Sequence, residues 1–433
     1  MALDPEELIR RRQERQARRK QQQASRKALF IKLGIALGAL VLCAVLILVL
    51  AKLPGKQASD PSATDAPAAT VIRLAACGDL NVTQRVVDAG DPEHGYGDLL
   101  MNVTPILARA DVTLMNLEGN FFGAPYGADR SAPDSLARSL ADAGVDLLQL
   151  ANSYSIYKGM DGLASTVNTV RAAGIEPVGA YANAQEAKEA KGYTIKNIGG
   201  VKLAFVAFTK GMDGMALPPG NEGSVNLLYT DYASDYQNVD TEGILKVINA
   251  AKKERPDMIV ALLHWGSEFN NTISNSQQSI CALLQENGVG AIIGTHSHYV
   301  QRMYIDPETG CFVAYSLGDF LGDADRAGSE YSVILELEIS KELESGKTTV
   351  TDFSYTPIFT ANEENAPLRV LPIHEAMAAY RSGYIDRISE TTYNAMDYAL
   401  GRIDARIHAT AEGEQTVPET TAATGATETT EIS

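Results

Sequence analysis

Short apolar runs alternate with stretches of helical periodicity between residues 71 and 408. Apolar runs of this length that contain β-branched residues predict buried strands, here over residues 71–77, 112–117, 146–150, 175–178, 202–208, 258–264, 291–293 and 311–317. Apolar positions three and four residues apart predict helices over residues 98–108, 134–143, 160–173, 239–254 and 276–287. This alternation predicts an α/β fold in which helices cover both faces of a sheet. Residues 330–339 and 348–359 predict antiparallel strands, and residues 374–407 are predicted to be helical.

A different pattern covers residues 33–51, which are uncharged and rich in Leu, Val, Ile and Ala. At 1.5 Å per residue, a helix of this length spans roughly the 30 Å hydrocarbon core of a bilayer. Lys and Arg crowd the preceding segment, so the positive-inside rule predicts a single-pass anchor in the cell membrane with a cytoplasmic amino end. A cleaved signal peptide and a buried core helix are the alternatives. The run is long for a signal peptide, and no small-x-small cleavage site precedes the linker.

Composition then divides the chain into five parts. The segment after the predicted span is rich in Ala, Pro, Ser, Asp and Thr and predicts a flexible stalk, and the carboxyl-terminal segment is rich in Thr and Glu and predicts disorder. The predicted parts are a basic cytoplasmic tail (1–32), a transmembrane helix (33–51), the stalk (52–70), an extracytoplasmic body (71–408) and the disordered tail (409–433).

Charge is unevenly distributed between these parts. The whole chain carries −17, and residues 1–32 hold ten Lys or Arg against four Asp or Glu, a net of +6, which leaves −23 for the rest. So acidic a body argues against nucleic acid as a partner, because phosphate binding needs a basic surface. It would also repel a long polyanion unless cations intervene or the site is locally positive. Cys43 lies in the predicted span, and the three other cysteines allow at most one intramolecular disulfide, so buried free thiols are the default interpretation.

Acids and histidines follow several predicted strands at the point where each strand ends. Asp79 and Glu118 follow the first two, His264 ends a later one, and His296 and His298 follow the next. Taken singly, each has an ordinary explanation, such as a turn residue, a helix cap or a solvated loop acid. Together, carboxylates and imidazoles at the carboxyl ends of strands predict a site for one or two divalent ions, Zn²⁺, Mn²⁺ or Fe²⁺. The two rings of His296-x-His298 share a face if the segment is a strand, and they can straddle two ions if it is a loop.

These motifs, in this order, resemble the capsule-biosynthesis family of CapA proteins, which is linked to poly-γ-glutamate synthesis and is similar in fold to the calcineurin-like metallophosphatases. The resemblance covers about residues 71–325 and is specific only as a set. It implies a metallophosphatase-like sandwich of β-sheets flanked by helices, preceded by an amino-terminal membrane anchor. The matching stretches are Gly78-Asp79-Leu80, Asn116-Leu117-Glu118, Leu150-Ala151-Asn152, Gly159-Met160-Asp161-Gly162-Leu163, His264-Trp265-Gly266, Gly294-Thr295-His296-Ser297-His298 through Gln301, and Tyr315-Ser316-Leu317-Gly318-Asp319-Phe320.

The resemblance also implies roles for individual residues. Glu118 is expected to bridge two ions. The implied metal ligands are Asp79, Glu118, Asn152, His264, His296 and His298, the implied catalytic residues are Tyr154 and His264, and the implied substrate-binding residues are Trp265 and Asp319.

One stretch departs from the family pattern. The family has Ala-Asn-Asn-His where this chain reads Ala151-Asn152-Ser153-Tyr154, so Ser153 and Tyr154 replace a metal-binding Asn and a proton-donating His. A Ser hydroxyl is a weaker ligand than an Asn carbonyl, and a Tyr hydroxyl with a pKa near 10 is a poor substitute for imidazole at pH 7. Asp319 also replaces a usual Asn. We therefore expect either one metal site or the acid-catalysis step to be weakened.

Three functions are compatible with these observations. The first is a membrane-anchored metal-dependent hydrolase or transferase acting on an envelope polymer such as poly-γ-glutamate. The second is a catalytically degenerate scaffold or export partner of a membrane polymer synthase, which the altered Ser153-Tyr154 pair favours. The third is a plain binding or adhesion module, which explains the anchor and stalk but leaves the ordered motifs unexplained.

Overall fold

Two β-sheets form the framework of the protein, and the computed structural model describes residues 69–127, 129–363, 366–383 and 388–409. The strands, in chain order, are β1 (Ala69–Asn81), β2 (Val112–Glu118), β3 (Leu147–Gln149), β4 (Glu176–Val178), β5 (Tyr193–Ile198), β6 (Val201–Thr209), β7 (Met258–His264), β8 (Ala291–Thr295), β9 (Met303–Ile305), β10 (Phe312–Ala314), β11 (Asp319–Leu321), β12 (Tyr331–Glu342), β13 (Thr348–Ala361) and β14 (Arg369–Pro372).

Ten helices lie within the described residues. They are α1 (Gln84–Asp88), α2 (Gly97–Leu100), α3 (Thr104–Leu107), α4 (Asp134–Asp142), α5 (Gly159–Ala172), α6 (Ala184–Ala190), α7 (Thr241–Lys253), α8 (Asn275–Glu286), α9 (Ile373–Arg381) and α10 (Glu390–Ile407).

Each sheet has a parallel centre. The first has the order β14-β13-β12-β1-β2-β3-β4, with β11 also paired to β1, and the second has the order β5-β6-β7-β8-β10-β9. Strands β1 to β4 run parallel, as do β6, β7, β8 and β10, whereas β12 to β14, β5 and β9 pair antiparallel with their neighbours. Parallel pairing brings the carboxyl ends of neighbouring strands to the same edge, which is where ligands bind in open α/β sheets.

The alternation of side chains along the strands explains how the sheets pack. Leu203 and Phe205 of β6 belong to the core cluster that also contains residues of β1 to β4, so they face the first sheet. Ala204 and Val206 belong to a second cluster. Successive strand side chains point to opposite faces, so one strand serves both cores. Contacts of β1 with β8 and of β4 with β6 join the two sheets.

Helices α7 and α8 cover the outer face of the second sheet. Ile244 and Ile248 of α7, and Ile280 and Leu284 of α8, are buried four residues apart in the second core cluster. This spacing places each pair on one helical face. Ser274 caps the amino end of helix α8, and its hydroxyl accepts a hydrogen bond from the backbone N–H three residues on in a capping box. The α/β alternation agrees with the predicted pattern, but the pattern predicted one sheet with helices on both faces, whereas the structure has two sheets, as the resemblance implied.

Several predicted elements have different bounds in the structure. The predicted helix over 98–108 is two short helices, because Pro105 lies in the first turn of α3, where its missing N–H costs no hydrogen bond. The predicted strand over 311–317 ends at Ala314, and the chain turns at Gly318 (φ 81°) before β11 begins. The predicted helix over 374–407 is interrupted near Gly383 (φ 68°). Strand β5 was not predicted, since its residues are half-buried and lack an apolar run.

Some predictions fall outside the described residues. These are the cytoplasmic tail (1–32), the transmembrane helix (33–51), nearly all of the stalk (52–70) and all but the first residue of the tail (409–433). Strand β1 begins at Ala69, two residues earlier than the predicted start of the body. No helix among the described residues has the length and apolarity needed to cross a bilayer. The three described cysteines, Cys77, Cys281 and Cys311, are free and buried, as expected by default.

Candidate metal centre

Six acidic and histidine side chains gather where strands of both sheets end. Their positions follow from the register, since Asp79 is level with Asp319 across β1 and β11, and His264 is level with Thr295 across β7 and β8. Each of the six has less than a tenth of its surface exposed. They are Asp79 near the end of β1, Glu118 at the end of β2, His264 at the end of β7, His296 and His298 just after β8, and Asp319 at the start of β11.

Two glycines allow the backbone segments to approach closely enough for this arrangement. A Cβ on Gly78 would lie 1.8 Å from the carbonyl oxygen of Gly318, and the next N–H, that of Asp79, donates a hydrogen bond to that oxygen over 3.0 Å. A Cβ on Gly294 would lie 2.0 Å from the carbonyl oxygen of Tyr315. Gly294 is therefore needed for the close approach of β8 to the backbone of Tyr315.

Glu118, His264 and His296 form the first of two groups, here named the histidine-rich group. Their ligand atoms lie within 4.8 Å of one another. His264 Nε2 is 3.0 Å from Glu118 Oε1, and the rings of the two histidines are 4.4 Å apart between centroids. His264 Nδ1 lies 3.2 Å from the hydroxyl of Thr295, which fixes the ring orientation with Nε2 toward the group. Glu118 Oε1 and His296 Nδ1 are buried and make no hydrogen bond with the described residues.

Asp79, His298 and Asp319 form the second group, here named the aspartate-rich group, again with ligand atoms within 4.8 Å of one another. His298 Nδ1 lies 2.7 Å from Asp319 Oδ1, which also accepts a hydrogen bond of 3.0 Å from the amide of Asn81. Asp79 accepts two hydrogen bonds, 2.6 Å from the side-chain amide of Asn116 and 2.9 Å from the backbone N–H of His296. These donors fix both carboxylates.

The two loop histidines belong to different groups. His296 and His298 follow β8 and have φ values of 88° and 60°, in the left-handed region that non-glycine residues rarely adopt. This backbone turns one imidazole toward each group and directs the N–H of His296 to Asp79. Of the two arrangements that the sequence left open for His296-x-His298, the structure has the loop arrangement in which the pair straddles two groups.

Burial and mutual repulsion shift the pKa values of the carboxylates upward. Burial, opposed by His298 and assisted by Asp319, raises the pKa of Asp79 to about 6. Burial and the charge of Asp79 raise the pKa of Glu118 well above its usual value, and burial also raises the pKa of Asp319. Converging buried carboxylates of this kind favour the presence of positive charge among them.

The histidines respond in opposite directions. Burial, together with nearby cations, lowers the pKa of both His264 and His296 well below the usual value, so both imidazoles are neutral at pH 7. Burial acts on His298 in the same direction, but the charge and hydrogen bond of Asp319 more than offset it and raise the pKa to about 10. The histidine-rich group thus offers neutral imidazole nitrogens, whereas His298 carries a proton among carboxylates.

A divalent cation fits these donors. Neutral imidazole nitrogens and carboxylate oxygens are the ligands that Zn²⁺, Mn²⁺ and Fe²⁺ share, and two adjacent groups suit two ions. Glu118 Oε1 and His296 Nδ1 are buried and make no hydrogen bond with the described residues, although Glu118 Oε1 lies 3.0 Å from His264 Nε2, and buried polar atoms without hydrogen bonds cost free energy. An ion would satisfy such atoms without further hydrogen-bond donors.

The altered stretch Asn152-Ser153-Tyr154 lies beside the histidine-rich group. Ser153 Oγ is 3.0 Å from His264 Nε2. Asn152 does not turn into the group. Its amide donates to the carbonyl of Leu117 over 2.6 Å and to Asn116 Oδ1 over 3.3 Å, and its Oδ1 accepts from the N–H of Tyr154 over 2.9 Å. Asn152 therefore shapes its own loop, and because its Oδ1 accepts only one of these hydrogen bonds, the implied role of Asn152 as a metal ligand stays a prediction.

Tyr154 is half-buried at the edge of the centre. Burial and the charge of Glu118 raise the pKa of Tyr154 to about 12, so its hydroxyl stays protonated at neutral pH. The guanidinium of Arg130 lies 4.6 Å from the centroid of its ring. Such a hydroxyl can donate a hydrogen bond, but it releases a proton much less readily than an imidazolium.

The two residues implied in substrate binding, Trp265 and Asp319, lie in different surroundings. Trp265 has no exposed surface, since its ring stacks on Tyr315 in the second core cluster and its N–H donates to the Tyr315 carbonyl over 2.8 Å. It supports the sheet and does not face a ligand. Asp319 is one of the three side chains of the aspartate-rich group, where it offers a ligand oxygen and holds His298.

Sequence reasoning did not assign roles to several residues that organise the centre. Asn116 lies two residues before Glu118, and Thr295 lies directly before His296 at the end of β8, and both resemble ordinary buried polar residues. Lys210 follows β6 and has its Nζ 2.8 Å from the carbonyl of Gly266. Burial lowers the pKa of Lys210. Parallel pairing of β6 with β7, which aligns Thr209 with His264, is the signal that could have placed Lys210 here.

Comparisons with known proteins agree with this reading of the sequence. A family model described as Bacterial capsule synthesis protein PGA_cap matches residues 73–324, which include all six side chains of the two groups. The chain is 24% identical over 311 residues to the capsule biosynthesis protein CapA of Bacillus anthracis, covering 68% of this chain and 72% of that protein. It is 24% identical over 295 residues to the PGA biosynthesis protein CapA of Bacillus subtilis, covering 66% and 71%. Among solved structures, the calcineurin-like phosphoesterase YfkN from Bacillus subtilis aligns with a TM-score of 0.43 and 16% identity over 78% of this chain and 98% of that chain.

Proposed function

This chain belongs to the bacterial capsule synthesis protein family PGA_cap, and from that premise we propose that it is a metal-dependent hydrolase or transferase of capsule or poly-γ-glutamate biosynthesis. One observation carries the proposal. Buried carboxylates and imidazoles form two adjacent groups, each able to hold a divalent ion. The relatives named for capsule and PGA biosynthesis supply the polymer context.

Different residues of the centre would hold the ions and orient the ligands. The histidine-rich and aspartate-rich groups would each hold one divalent ion. A divalent ion supplies Lewis acidity and lowers the pKa of water, which suits hydrolysis of an amide-like or phosphoester bond. Thr295 orients His264 through Nδ1, and Asn116 holds Asp79 through its amide, so ligand atoms are preorganised.

Tyr154 and Lys210 would act on the substrate side of the centre. The protonated hydroxyl of Tyr154 would donate a hydrogen bond to a leaving group and would assist its departure only weakly, because its pKa is raised to about 12. Lys210 lies close enough to His264 and His296 for its charge to lower their pKa values, so it adds positive charge beside the histidine-rich group.

Metal analysis combined with a polymer assay tests this function. The full-length chain, purified in mild detergent, is expected to contain close to two divalent ions and to shorten poly-γ-glutamate, measured as new free amines and a smaller chain size. A His264→Ala/His296→Ala variant serves as the control and should lose an ion and the activity while keeping its circular dichroism spectrum. Full metal content in that variant would remove the ligand assignment, and intact polymer with both ions bound would remove the hydrolase.

A second candidate is a scaffold or export partner of a membrane synthase without catalysis. The geometry of Asn152 favours it, since that amide is used within its own loop and leaves the Ser153 hydroxyl as a weak donor near His264. In this case the wild-type chain would not cleave the polymer, and a Ser153→Asn/Tyr154→His variant would gain cleavage.

The proposal includes a membrane location. The apolar run 33–51 and the basic segment before it support a single-pass anchor with a cytoplasmic amino end and an extracytoplasmic body. In whole cells stripped of their wall, externally added protease should then degrade the body, and detergent should be needed to release it from membranes. Protection of the body in intact stripped cells would contradict this orientation.

A further inference from the structure

Two arginines are stacked on aromatic rings beside the two groups. The guanidinium carbon of Arg130 lies 4.6 Å from the ring centroid of Tyr154, and that of Arg326 lies 4.1 Å from the ring centroid of Phe269. The Phe269 ring in turn stacks on His298 of the aspartate-rich group, with centroids 4.5 Å apart and planes at 15°. Tyr154 is close enough to Glu118 of the histidine-rich group for the two to interact electrostatically. Each metal group thus has its own arginine–aromatic stack.

The loops that carry these arginines follow directly from ligand-bearing strands. Arg130 lies in the loop after β2, which ends at Glu118, and its carbonyl accepts a 2.8 Å hydrogen bond from the N–H of Asn120. Arg326 lies in the loop after β11, where the hydroxyl of Thr83 donates to Asp323 over 2.6 Å. Both arginines are therefore held near the centre by their own backbone connections.

Both guanidinium groups have N–H donors that could bind a ligand. Within the described ranges of the chain, neither group has a hydrogen-bond or ion-pair partner, and Arg130 is only half-buried while Arg326 is exposed. Stacking uses the face of a guanidinium and leaves the N–H groups on its edge free. That edge matches a carboxylate, which it binds through two parallel hydrogen bonds.

Because the rest of the chain is strongly negative, the positions of these two arginines decide where an anionic polymer can bind. Outside residues 1–32 the chain carries −23, so an anionic polymer is repelled by most of the surface. A polymer of carboxylates can approach the centre only where positive charge is concentrated. Arginines fixed beside both groups provide such places.

We propose that Arg130 and Arg326 form two carboxylate-binding subsites, one beside each metal group, which hold neighbouring acidic units of a polyanionic chain on the two sides of the reacting bond. This inference rests on the proposed function for the presence of a reacting bond, but the binding of the polymer to the two arginines does not depend on turnover. It also explains how an acidic protein can take an acidic substrate without bridging cations.

Arginine substitutions in the metal-loaded full-length chain test the proposal. Binding of fluorescent poly-γ-glutamate, measured by anisotropy at constant ionic strength, is expected to weaken roughly tenfold in Arg130→Met and in Arg326→Met, because a hydrogen bond to a charged group is lost in each. Arg130→Lys and Arg326→Lys should lose less, since they keep the charge but not the paired donors. Binding of neutral polyglutamine chains should not change.

Arg302 provides a matched control. Its guanidinium carbon lies 4.4 Å from the ring centroid of Tyr304, but that ring neighbours Tyr315 and packs against the second core cluster, not against either metal group. Arg302→Met should therefore bind the polymer as the wild type does. Equal binding by Arg130→Met, Arg326→Met and the wild type, with unchanged metal content, would overturn the proposal.

The outcome is separable from that of the proposed function. Weaker binding in the two variants, with no cleavage by the wild type, would support the subsites and remove the hydrolase. Cleavage by the wild type with an unchanged KM in both variants would support the hydrolase and remove the subsites.

Discussion

The histidine-rich and aspartate-rich groups lie side by side and use the same kinds of side chain, yet they are built differently. In the histidine-rich group, two neutral imidazoles accompany one carboxylate, and the atoms Glu118 Oε1 and His296 Nδ1 make no hydrogen bond with the described residues. In the aspartate-rich group, two carboxylates surround His298, and each carboxylate is held by an amide or N–H donor. The first group is incompletely satisfied without a cation, whereas the second is satisfied by hydrogen bonds and a proton.

The difference arises from the strands and loops that supply the donors. Asp79 and Asp319 are on neighbouring parallel strands in register, so they face each other and need an intervening positive charge. His264 and Thr295 are likewise in register, and this pairing gives His264 an uncharged hydroxyl partner, while burial and the charges of His298 and Lys210 lower its pKa. Similar ligand sets can therefore differ in charge state because of the partner that the neighbouring strand places beside each ligand.

The largest effect is expected from removing one charge in each group by an isosteric change. Glu118→Gln should empty the histidine-rich group and lower hydrolysis by more than about 100-fold, since even outer partners of metal ligands are worth 10–100-fold. Asp79→Asn should affect the aspartate-rich group and leave the other ion bound. Elemental analysis of both variants should give one ion less than the wild type, from different groups. Unchanged metal content in both would show that the groups do not bind ions.

The second-largest effect is expected from removing the hydroxyl that lies beside His264. Thr295→Val removes the hydroxyl that fixes His264 Nδ1 and should weaken metal binding by the histidine-rich group by about 10–100-fold, as titration calorimetry would measure. Thr113→Val is the control, because Thr113 is equally buried and its hydroxyl donates to the carbonyl of Leu107 away from the centre. If both variants bound metal equally, Thr295 would have only a structural role.

The strand ends that carry the centre could be predicted from the sequence, because apolar runs that stop at an acid or a histidine are visible without a structure. Asp79, Glu118, His264, His296 and His298 were identified in this way, and all five meet in the fold. Their division into two groups was not predictable, since it depends on left-handed backbone at the two loop histidines.

The surroundings of Trp265 and Asn152 also have physical causes. Trp265 follows a ligand in a motif, but its side chain points into the second core, because successive strand positions alternate between faces. Asn152 has the chemistry of a ligand, but local hydrogen bonds within its loop use its amide. In both cases the residue type was informative and the direction of the side chain was not available from the sequence.

A smaller effect is expected from strengthening the weaker donor of the histidine-rich group. Ser153→Asn replaces the hydroxyl 3.0 Å from His264 Nε2 by an amide oxygen, a better ligand, and should tighten metal binding by roughly tenfold. Ser153→Ala should bind metal only slightly less well than the wild type, since a Ser hydroxyl contributes little. Equal affinities in the Asn and Ala variants would indicate that this position does not face the ion.

The smallest expected effect is a difference between the two groups in the number of protons released on metal binding. It compares their charge states most directly. Ligands must be deprotonated to bind a metal, so a group with a raised pKa releases protons and binds more weakly as the pH falls below that pKa. In Glu118→Gln, which should keep only the aspartate-rich group, about one proton per ion should leave at pH 7.5, because the pKa of His298 is raised to about 10. More should leave at pH 5.5, because the pKa of Asp79 is raised to about 6.

Asp79→Asn should keep only the histidine-rich group, and its two imidazoles, with lowered pKa values, should release none, so any proton must come from Glu118. Calorimetry in two buffers of different ionisation enthalpy counts these protons. Release that did not increase between pH 7.5 and 5.5 in Glu118→Gln would contradict the assignment of Asp79 and His298 to one shared site.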